Sequence, residues 1–352
     1  MKPKIITIVS GAASGALNIA VSVAEDINQS WDSTIILRKY NKAGIQGART
    51  IKDRLVADYI WNLYILLKEE RPDLVMVHGY STHLWTKIVT ALLGIKLIHV
   101  EHNVERYTPF RRWLLNKLDK YTAGYICVSN GIAQYLSQLG VPASKLTVIY
   151  NGIDINEFSS PKDKQNIYTI GMTARFSRQK DQLALIKAVE HLVKGQDQAL
   201  KLILLGDGKT KRNCMKYVEK HALGSIVDFR KGRFRDLAPK LDLFVLSTNW
   251  EGFGLVVVEA MAARIPVVAS NVPGVNEIIN HGENGFLVDG GDDKQLATAI
   301  WSCIKAQQQG QLQNIVDQAY RDVCSRFCVD GMHEEYKKYI GRLLVKKDMA
   351  DK

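Results

Sequence analysis

The 352-residue sequence predicts an α/β protein whose parallel β-sheets are covered by helices on both faces. Short apolar runs of strand length alternate along the chain with longer segments in which apolar residues recur at helical spacing. Apolar residues make up 46% of the chain and charged residues 24%, a balance typical of globular proteins rather than disordered ones. The length allows two domains, each with its own core.

The strand and helix patterns follow one another in both halves of the chain. In the first half, strands are predicted at residues 5–10, 33–37, 73–78, 96–100 and 124–129, and helices at 17–27, 50–70 and 81–93. In the second half, strands are predicted at 167–172, 201–205, 228–232 and 243–247, with helices beginning near Gln182 and Leu255 and helical spacing from 313 to 345. The polar run 159–166 contains a proline and is interpreted as a linker between domains 1–158 and 167–330.

The net charge of +11 is spread over both halves of the chain. Such a surplus suits an anionic substrate or an anionic lipid surface. Nucleic acid is not an expected partner, because the sequence has no recognisable RNA- or DNA-binding motif with interleaved aromatic residues. The longest apolar runs are far shorter than the ~20 residues that span a bilayer, and the N-terminus lacks the pattern of a signal peptide. We therefore expect a cytoplasmic protein without an integral membrane segment.

The five cysteines show neither a CxxC pair nor the even count of a disulfide framework. They lie at positions 127, 214, 303, 324 and 328. Cys324 and Cys328 have the spacing of one helix face, but no histidine lies nearby at zinc-binding spacing. Cys324 and Cys328 are interpreted as reduced packing residues.

The segment 106–120 mixes five cationic residues with Trp113 and three leucines. Its spacing predicts an amphipathic helix with tryptophan and leucine on one side. Such a helix could contact an anionic membrane surface. It could equally be an ordinary helix that covers the sheet and extends its basic side chains to solvent.

Ligands of parallel α/β sheets bind beyond the carboxyl ends of the strands, so the residues directly after each strand are candidates. In the first half these are the glycine-rich loop 11–15, His78 with Gly79, and residues 101–103. Gly15 could bring the backbone close to a phosphate or an acceptor, although tight helix–strand packing explains this loop equally well. His102 could hydrogen-bond a ligand, and the alternative is a structural hydrogen-bonding histidine. Strand alternation turns His99 to a sheet face.

In the second half, Arg175 and Lys180 follow the strand 167–172. Two cations at this position could neutralise a diphosphate, and the alternative is a solvated basic loop. Gly206 to Thr210 has the end of a phosphate-loop motif, but Ile203 stands where that motif requires glycine.

The stretch 247–277 places Glu251 and Glu259 eight positions apart, with Gly252, Phe253 and Gly254 between them and an apolar run from Leu255. The two glycines allow a turn and a close approach to a ligand. Free amides at the following helix start would suit an anion, and the carboxylates would suit sugar hydroxyls. The structural alternative is that both carboxylates are solvated.

This stretch resembles the donor-binding half of retaining glycosyltransferases of family 4, which have the GT-B fold. The resemblance rests on Glu251 and Glu259 followed in order by AlaMetAla, by ProValValAlaSer from position 266, by Gly274 and Glu277, and by GlyGluAsnGly from position 282. It implies two Rossmann-like domains facing a cleft, with the acceptor bound by the first and a nucleotide-sugar by the second. It also implies that the C-terminal helix, residues 331–352, crosses back to the first domain.

The resemblance implies a role for each candidate residue. Arg175 and Lys180 would hold the donor phosphates and stabilise the departing diphosphate. Glu259 would accept hydrogen bonds from the ribose and Glu251 from the donor sugar, and His102 would orient that sugar. The remaining donor-binding positions it implies are Gly15, Gly206, Gly208, Gly252, Phe253, Gly254 and Leu255.

The same resemblance implies the substrates. The donor would be a UDP- or GDP-linked hexose, used without a further cofactor. No metal is expected, because the two cations take its place. The acceptor would be a glycan or a lipid-linked glycan of bacterial-type surface polysaccharide or glycolipid synthesis, reached from the cytoplasmic face of the membrane. The alternatives are a sugar phosphorylase or nucleotide-sugar epimerase, and a membrane-associated sugar-binding scaffold without turnover.

Two positions depart from the family pattern. The family often carries Gly-Gly-x-Glu in its first loop, where this chain has Ser14-Gly15-Ala16-Leu17. Arg264 stands where the family has a glycine that ends the helix after Glu259. If the backbone is left-handed there, arginine carries a penalty of roughly 1 kcal/mol, and Arg264→Gly is expected to be neutral or stabilising.

Overall fold

The computed structural model describes residues 2–11, 14–41, 43–105, 107–158, 167–196 and 198–348. The chain divides into two compact units, one formed by residues 1–152 with 329–352 and the other by residues 153–328. The predicted linker 159–166 lies outside the described residues. The C-terminal segment, predicted to join the first domain, is grouped with the first unit from Val329 onward.

The first unit contains a seven-stranded parallel sheet in the order β3-β2-β1-β4-β5-β6-β7. Its strands are β1 (Lys4–Ser10), β2 (Asp32–Arg38), β3 (Arg49–Ile51), β4 (Leu74–His78), β5 (Lys96–Glu101), β6 (Thr122–Cys127) and β7 (Leu146–Val148). The helices between them are α1 (Gly15–Ile27), α2 (Val56–Glu70), α3 (Tyr80–Leu93), α4 (Pro109–Leu118) and α5 (Asn130–Gln138). Every residue of β4 is buried, as expected for a central strand covered on both faces.

The second unit contains a six-stranded parallel sheet in the order β10-β9-β8-β11-β12-β13. Its strands are β8 (Tyr168–Thr173), β9 (Leu200–Leu205), β10 (Val227–Arg230), β11 (Leu243–Leu246), β12 (Val267–Ser270) and β13 (Phe286–Val288). Its helices are α6 (Gln182–Gly195), α7 (Lys211–Lys220), α8 (Phe234–Leu237), α9 (Leu255–Ala262), α10 (Asp293–Gln308) and α11 (Gln313–Arg326). The two parallel sheets confirm the predicted fold class.

The helix predicted from residue 50 begins later. Residues 49–51 form β3, an edge strand paired with β2. The helix starts at Val56 because the Asp58 carboxylate accepts hydrogen bonds from the backbone N–H groups of Arg54 and Leu55, at 3.2 and 3.0 Å. These contacts satisfy donors that would otherwise be left free at the helix start.

The segment 313–345, predicted to have continuous helical spacing, forms two helices, α11 and the final helix α12 (Val329–Asp348). Phe327 and Cys328 lie between them, and the Phe327 carbonyl accepts a hydrogen bond from Ile153 at 3.0 Å. Cys328 also forms a bridge with Ile153, so the prediction that Cys324 and Cys328 share a helix face is wrong. The five cysteines are free.

Helix α12 packs on α1 within the first unit. His333 Nε2 lies 2.8 Å from the Ser22 hydroxyl, and Lys337 Nζ lies 3.1 Å from an Asp26 carboxylate oxygen. These polar contacts fix the position of the last helix on this face of the first sheet.

The prediction that tryptophan and leucine lie on one side of helix α4 is wrong. Leu115 is fully buried, whereas Trp113 is 55% exposed and Phe110 is 63% exposed. A separation of two residues turns side chains to nearly opposite sides of a helix, so burying Leu115 directs Trp113 outward. The Phe110 and Trp113 rings stack with their centres 6.1 Å apart.

Among the residues that the structure describes, no helix is both long enough and apolar enough to cross a bilayer.

Arg264 has a φ of 55°, which confirms the predicted left-handed backbone. Its guanidinium also makes two contacts that the sequence did not indicate. Arg264 Nη1 lies 2.6 Å from an Asp317 carboxylate oxygen, and its guanidinium carbon lies 3.9 Å from the centre of the Tyr320 ring. Because the ion pair and the ring contact each contribute up to about 1 kcal/mol, they offset the backbone strain.

We predict that Arg264→Gly is close to neutral and that Arg264→Ala is destabilising. Both substitutions remove the same side-chain contacts, but only alanine retains the left-handed penalty of roughly 1 kcal/mol. Thermal unfolding followed by circular dichroism measures the difference. An alanine variant that melts at or above the temperature of the glycine variant would show that strain at this position is negligible.

Candidate functional site

The candidate residues of the second unit follow neighbouring parallel strands. Arg175 comes after β8, Gly206 and Gly208 after β9, and Glu251 after β11. Strands β9 and β11 both pair with β8. Because the carboxyl ends of parallel strands lie at one edge, the topology brings these loops to the same edge of the sheet.

Hydrogen bonds hold the loop after β8 against the loop after β11. The Asp181 N–H donates to the Ser247 carbonyl at 3.1 Å, and the Asn249 N–H donates to the Gln179 carbonyl at 2.8 Å. The Gln179 side-chain Nε2 donates to the Trp250 carbonyl at 2.9 Å. These contacts fix the backbone on either side of Lys180 and Glu251.

Lys180 and Glu251 form an ion pair although 71 positions separate them in the sequence. Their side chains are only 14% and 13% exposed. Burial lowers the pKa of Lys180 to about 7, whereas the neighbouring carboxylate favours the charged ammonium. The pair places a cation beside a carboxylate at this edge of the sheet.

Arg175 is exposed at the same edge. Its carbonyl accepts a hydrogen bond from the Gln182 side chain at 3.1 Å, which fixes the backbone. Among the described residues, its guanidinium has no hydrogen-bond or ion-pair partner. The five donors of this group are therefore available to an anion from solvent.

Gly206 and Gly208 allow the β9 loop to pack against the backbone that flanks Arg175. Their φ angles are 148° and 149°, and a Cβ on either would lie 2.2 Å from the carbonyl oxygen of Ala174 or Phe176. The Phe176 N–H also donates to the Asp207 carbonyl at 2.9 Å. Glycine is therefore required here by the protein's own packing, whether or not a ligand contacts the loop.

The turn 252–254 leads into α9. Gly254 precedes the helix with a φ of 104°, and Leu255 is the first helical residue. The Phe253 side chain is buried and meets Phe327 edge to face, with ring centres 5.5 Å apart. A ligand at this turn would contact main-chain groups, including those of Gly252, rather than the Phe253 ring.

Glu259 is partly buried on α9. Among the described residues, its carboxylate has no hydrogen-bond donor and no cation. Burial is the main cause that raises the pKa of Glu259, and repulsion from the neighbouring Glu157 is the second. Together they raise it to about 7. Arg235 Nη1 pairs with Glu157 at 2.9 Å. No local signal in the sequence links Glu157 to Glu259, which lies 102 positions later.

The two candidates of the first unit, Gly15 and His102, lie in the segments that follow β1 and β5. Gly15 is the first residue of α1, and Ser14 caps that helix by accepting from the Leu17 N–H at 3.2 Å. Ala12 and Ala13, in the middle of the predicted loop, lie outside the described residues. A Cβ on Gly11 would lie 1.5 Å from the Tyr40 carbonyl oxygen, so packing explains this glycine.

His102 follows β5, and its Nε2 lies 2.9 Å from Nδ1 of His78 at the end of β4. Burial lowers the pKa of His102 to about 4 and that of His78 well below its usual value. His99 is fully buried and stacks on His83 with ring centres 4.5 Å apart, so it lies on a sheet face, as predicted.

Two family models match the chain. The model for glycosyl transferases group 1 matches residues 153–322, and the model for glycosyltransferase family 4 matches residues 42–157. A UDP-Gal:alpha-D-GlcNAc-diphosphoundecaprenol alpha-1,3-galactosyltransferase of Escherichia coli is 26% identical over 68% of this chain and 68% of its own length. The lipopolysaccharide core biosynthesis glycosyltransferase LpsE of Rhizobium meliloti is 31% identical over 67% of this chain and 66% of its own length. The matched region thus spans about two thirds of each relative.

Solved structures match over nearly the full chain. The Anabaena protein HepE in complex with UDP-glucose superposes with a TM-score of 0.84 at 23% identity, covering 96% of this chain and 99% of HepE. A sucrose-phosphate synthase from Thermosynechococcus elongatus gives a TM-score of 0.83 at 18% identity, covering 97% and 100%. Together with the two parallel sheets, these likenesses define a GT-B protein. The chain belongs to the group 1, or family 4, glycosyltransferases.

We predict that Glu259→Gln gains stability relative to the wild type as pH rises from about 5 to about 8. The folded pKa of Glu259, about 7, exceeds its ordinary value of 4.5, so the folded state binds more protons between these values. Wild-type stability is therefore lost as pH rises through about 7, and glutamine does not titrate. Melting temperatures at several pH values test this, with Glu219→Gln on the exposed side of α7 as a control. A wild-type to variant difference that is independent of pH would contradict the assignment.

Proposed function

We propose that the protein is a metal-independent, retaining glycosyltransferase that moves a hexose from a UDP- or GDP-linked donor to a glycan or lipid-linked acceptor. Family membership supports glycosyl transfer. The observation that carries the donor assignment is the partly buried Glu259 carboxylate, which has no donor among the described residues. A buried carboxylate without a partner is costly unless a ligand supplies hydrogen bonds, and ribose hydroxyls are suitable donors.

Arg175 and Lys180 are the groups we assign to the diphosphate. In the transfer step, the bond between the sugar's anomeric carbon and the diphosphate oxygen breaks, and the diphosphate leaves with the bonding electrons. The acceptor hydroxyl oxygen forms the new bond to that carbon on the same face and releases its proton to the departing diphosphate. Fixed positive groups aimed at the growing charge stabilise this step without reorganising.

The ion pair with Glu251 gives Lys180 a defined position before the donor arrives. In our proposal the diphosphate takes over Lys180 as a partner, and Glu251 then accepts hydrogen bonds from the sugar hydroxyls. His102 is proposed to orient the sugar.

We also propose a peripheral contact with an anionic membrane on the cytoplasmic side. The relative from Escherichia coli is named for a diphosphoundecaprenol-linked substrate, which is a lipid. Helix α4 exposes Phe110 and Trp113 and carries Arg111, Arg112 and Lys117. Aromatic side chains beside cations are typical of surfaces that lie at the lipid interface.

We predict that UDP or GDP, and the matching nucleotide-sugar, raises the melting temperature, whereas ADP and CMP do not. A ligand that binds only the folded state must stabilise it. Glu259→Ala should abolish the shift because the ribose loses its acceptor, and Glu219→Ala should retain it.

The corresponding transfer assay uses Arg175→Ala, which should lower the rate at least tenfold by removing charge stabilisation of the leaving group. Rates within a few-fold of wild type for both Arg175→Ala and Glu259→Ala would refute the site. Absence of any nucleotide shift would favour the non-catalytic scaffold, and release of a sugar phosphate dependent on inorganic phosphate would indicate a phosphorylase.

We predict that the wild-type protein co-sediments with vesicles containing anionic phosphatidylglycerol and that the double variant Phe110→Ala, Trp113→Ala binds several-fold less. The apolar rings and the cations act together at the interface, so binding should also weaken at high salt. Trp61→Ala is the matched control, because Trp61 is a similarly exposed tryptophan on α2. Equal binding of all three proteins would exclude α4 as the contact.

A further inference from the structure

His78 and His102 are neighbours at the carboxyl ends of β4 and β5 in the first unit. The two strands pair in parallel, with His78 opposite Val100. His78 is fully buried, and its Nδ1 lies 2.9 Å from His102 Nε2. The ring planes are inclined by 24°, with centres 5.1 Å apart. The mechanism proposed above uses His102 but assigns no role to His78.

The backbone of His102 is already fixed by another buried group. Glu101 Oε1 accepts a hydrogen bond from the His102 N–H at 3.2 Å, and Glu101 Oε2 accepts one from the Tyr107 hydroxyl at 3.1 Å. The Glu101 side chain thus holds the turn that carries His102. These contacts do not determine which ring nitrogen of His102 carries the proton.

A hydrogen bond between two neutral imidazoles requires one N–H and one lone pair. Burial lowers the pKa of both rings, so both are neutral near pH 7. Either His78 Nδ1–H donates, which leaves the His102 proton on Nδ1, or His102 Nε2–H donates, which leaves His102 Nδ1 as an acceptor. The contact therefore couples the tautomers of the two residues.

The far side of the His78 ring distinguishes these arrangements. His78 Nε2 is buried and has no hydrogen-bond partner among the described residues. In the second arrangement, in which His102 Nε2–H donates, His78 Nε2 would carry a proton without an acceptor. In the first arrangement, in which His78 Nδ1–H donates, His78 Nε2 has only an unused lone pair. Buried N–H groups without acceptors are rare, so the first arrangement is favoured.

We propose that His78 is a positioning residue that holds His102 in the Nδ1–H tautomer and so makes His102 a hydrogen-bond donor. This inference rests on the proposed function, in which His102 contacts the donor sugar. A donor at this position would bind a hydroxyl or ester oxygen of that sugar. His78 itself touches no substrate in this proposal.

The test compares His78→Asn with His78→Phe. Asparagine can place an N–H near the position of the His78 Nδ1, whereas phenylalanine keeps a buried ring but cannot donate. If His78 positions His102, the asparagine variant retains most of the transfer rate and the phenylalanine variant loses roughly tenfold in kcat/KM, the loss expected for one hydrogen bond. If His78 only fills space, the order is reversed, because the ring is the better packing substitute. Melting curves of both variants show whether each is folded.

Nitrogen-15 NMR of histidine-labelled protein reads the tautomer without any substrate. Assigned by comparison with His102→Gln, the His102 signals should show a protonated Nδ1 in the wild type and in His78→Asn, and a shift toward protonated Nε2 in His78→Phe. A wild-type His102 protonated on Nε2 would overturn the inference. If the tautomer shifts as expected but His102→Gln transfers sugar at the wild-type rate, the proposed role of His102 fails and the tautomer assignment stands.

Discussion

The parallel pairing of β8 with β9 and β11 is the constraint on which the candidate site of the second unit depends. It brings loops from distant parts of the sequence to one edge of the sheet, and hydrogen bonds between the loops after β8 and β11 then fix their relative position. The glycines after β9 complete the arrangement by letting the backbone approach Ala174 and Phe176 within a distance that excludes any side chain.

Burial gives the polar groups of these edges their distinct properties. Lys180 and Glu251 form an ion pair, whereas Glu259 has no cation beside it in the part of the chain that the structure describes, and its pKa is raised. In the first unit, His78 and His102 are kept neutral and can serve as hydrogen-bond donor and acceptor near pH 7. Among the described residues, these two sheet edges thus hold both paired polar groups and buried polar atoms without a partner.

Much of the fold could be predicted because its signals are local. Apolar runs marked the central strands, strand alternation correctly turned His99 to a sheet face, and the family glycine position held by Arg264 does have a left-handed backbone. Errors arose where helix capping or tertiary contacts override periodicity. The Asp58 side chain delays the start of α2, burial of Leu115 turns Trp113 outward, and the Ile153 bridge separates Cys328 from α11.

The sequence by itself determined the α/β class, the alternation of strands and helices, and the motif that marks the family, because each depends on residue types at short, regular spacing. Only the tertiary structure decided which polar groups meet. The pairing of Lys180 with Glu251, the effect of Glu157 on Glu259 and the contact of His78 with His102 join residues 24 to 102 positions apart. No local pattern encodes such contacts, since they arise from strand order and from loops meeting at a common sheet edge.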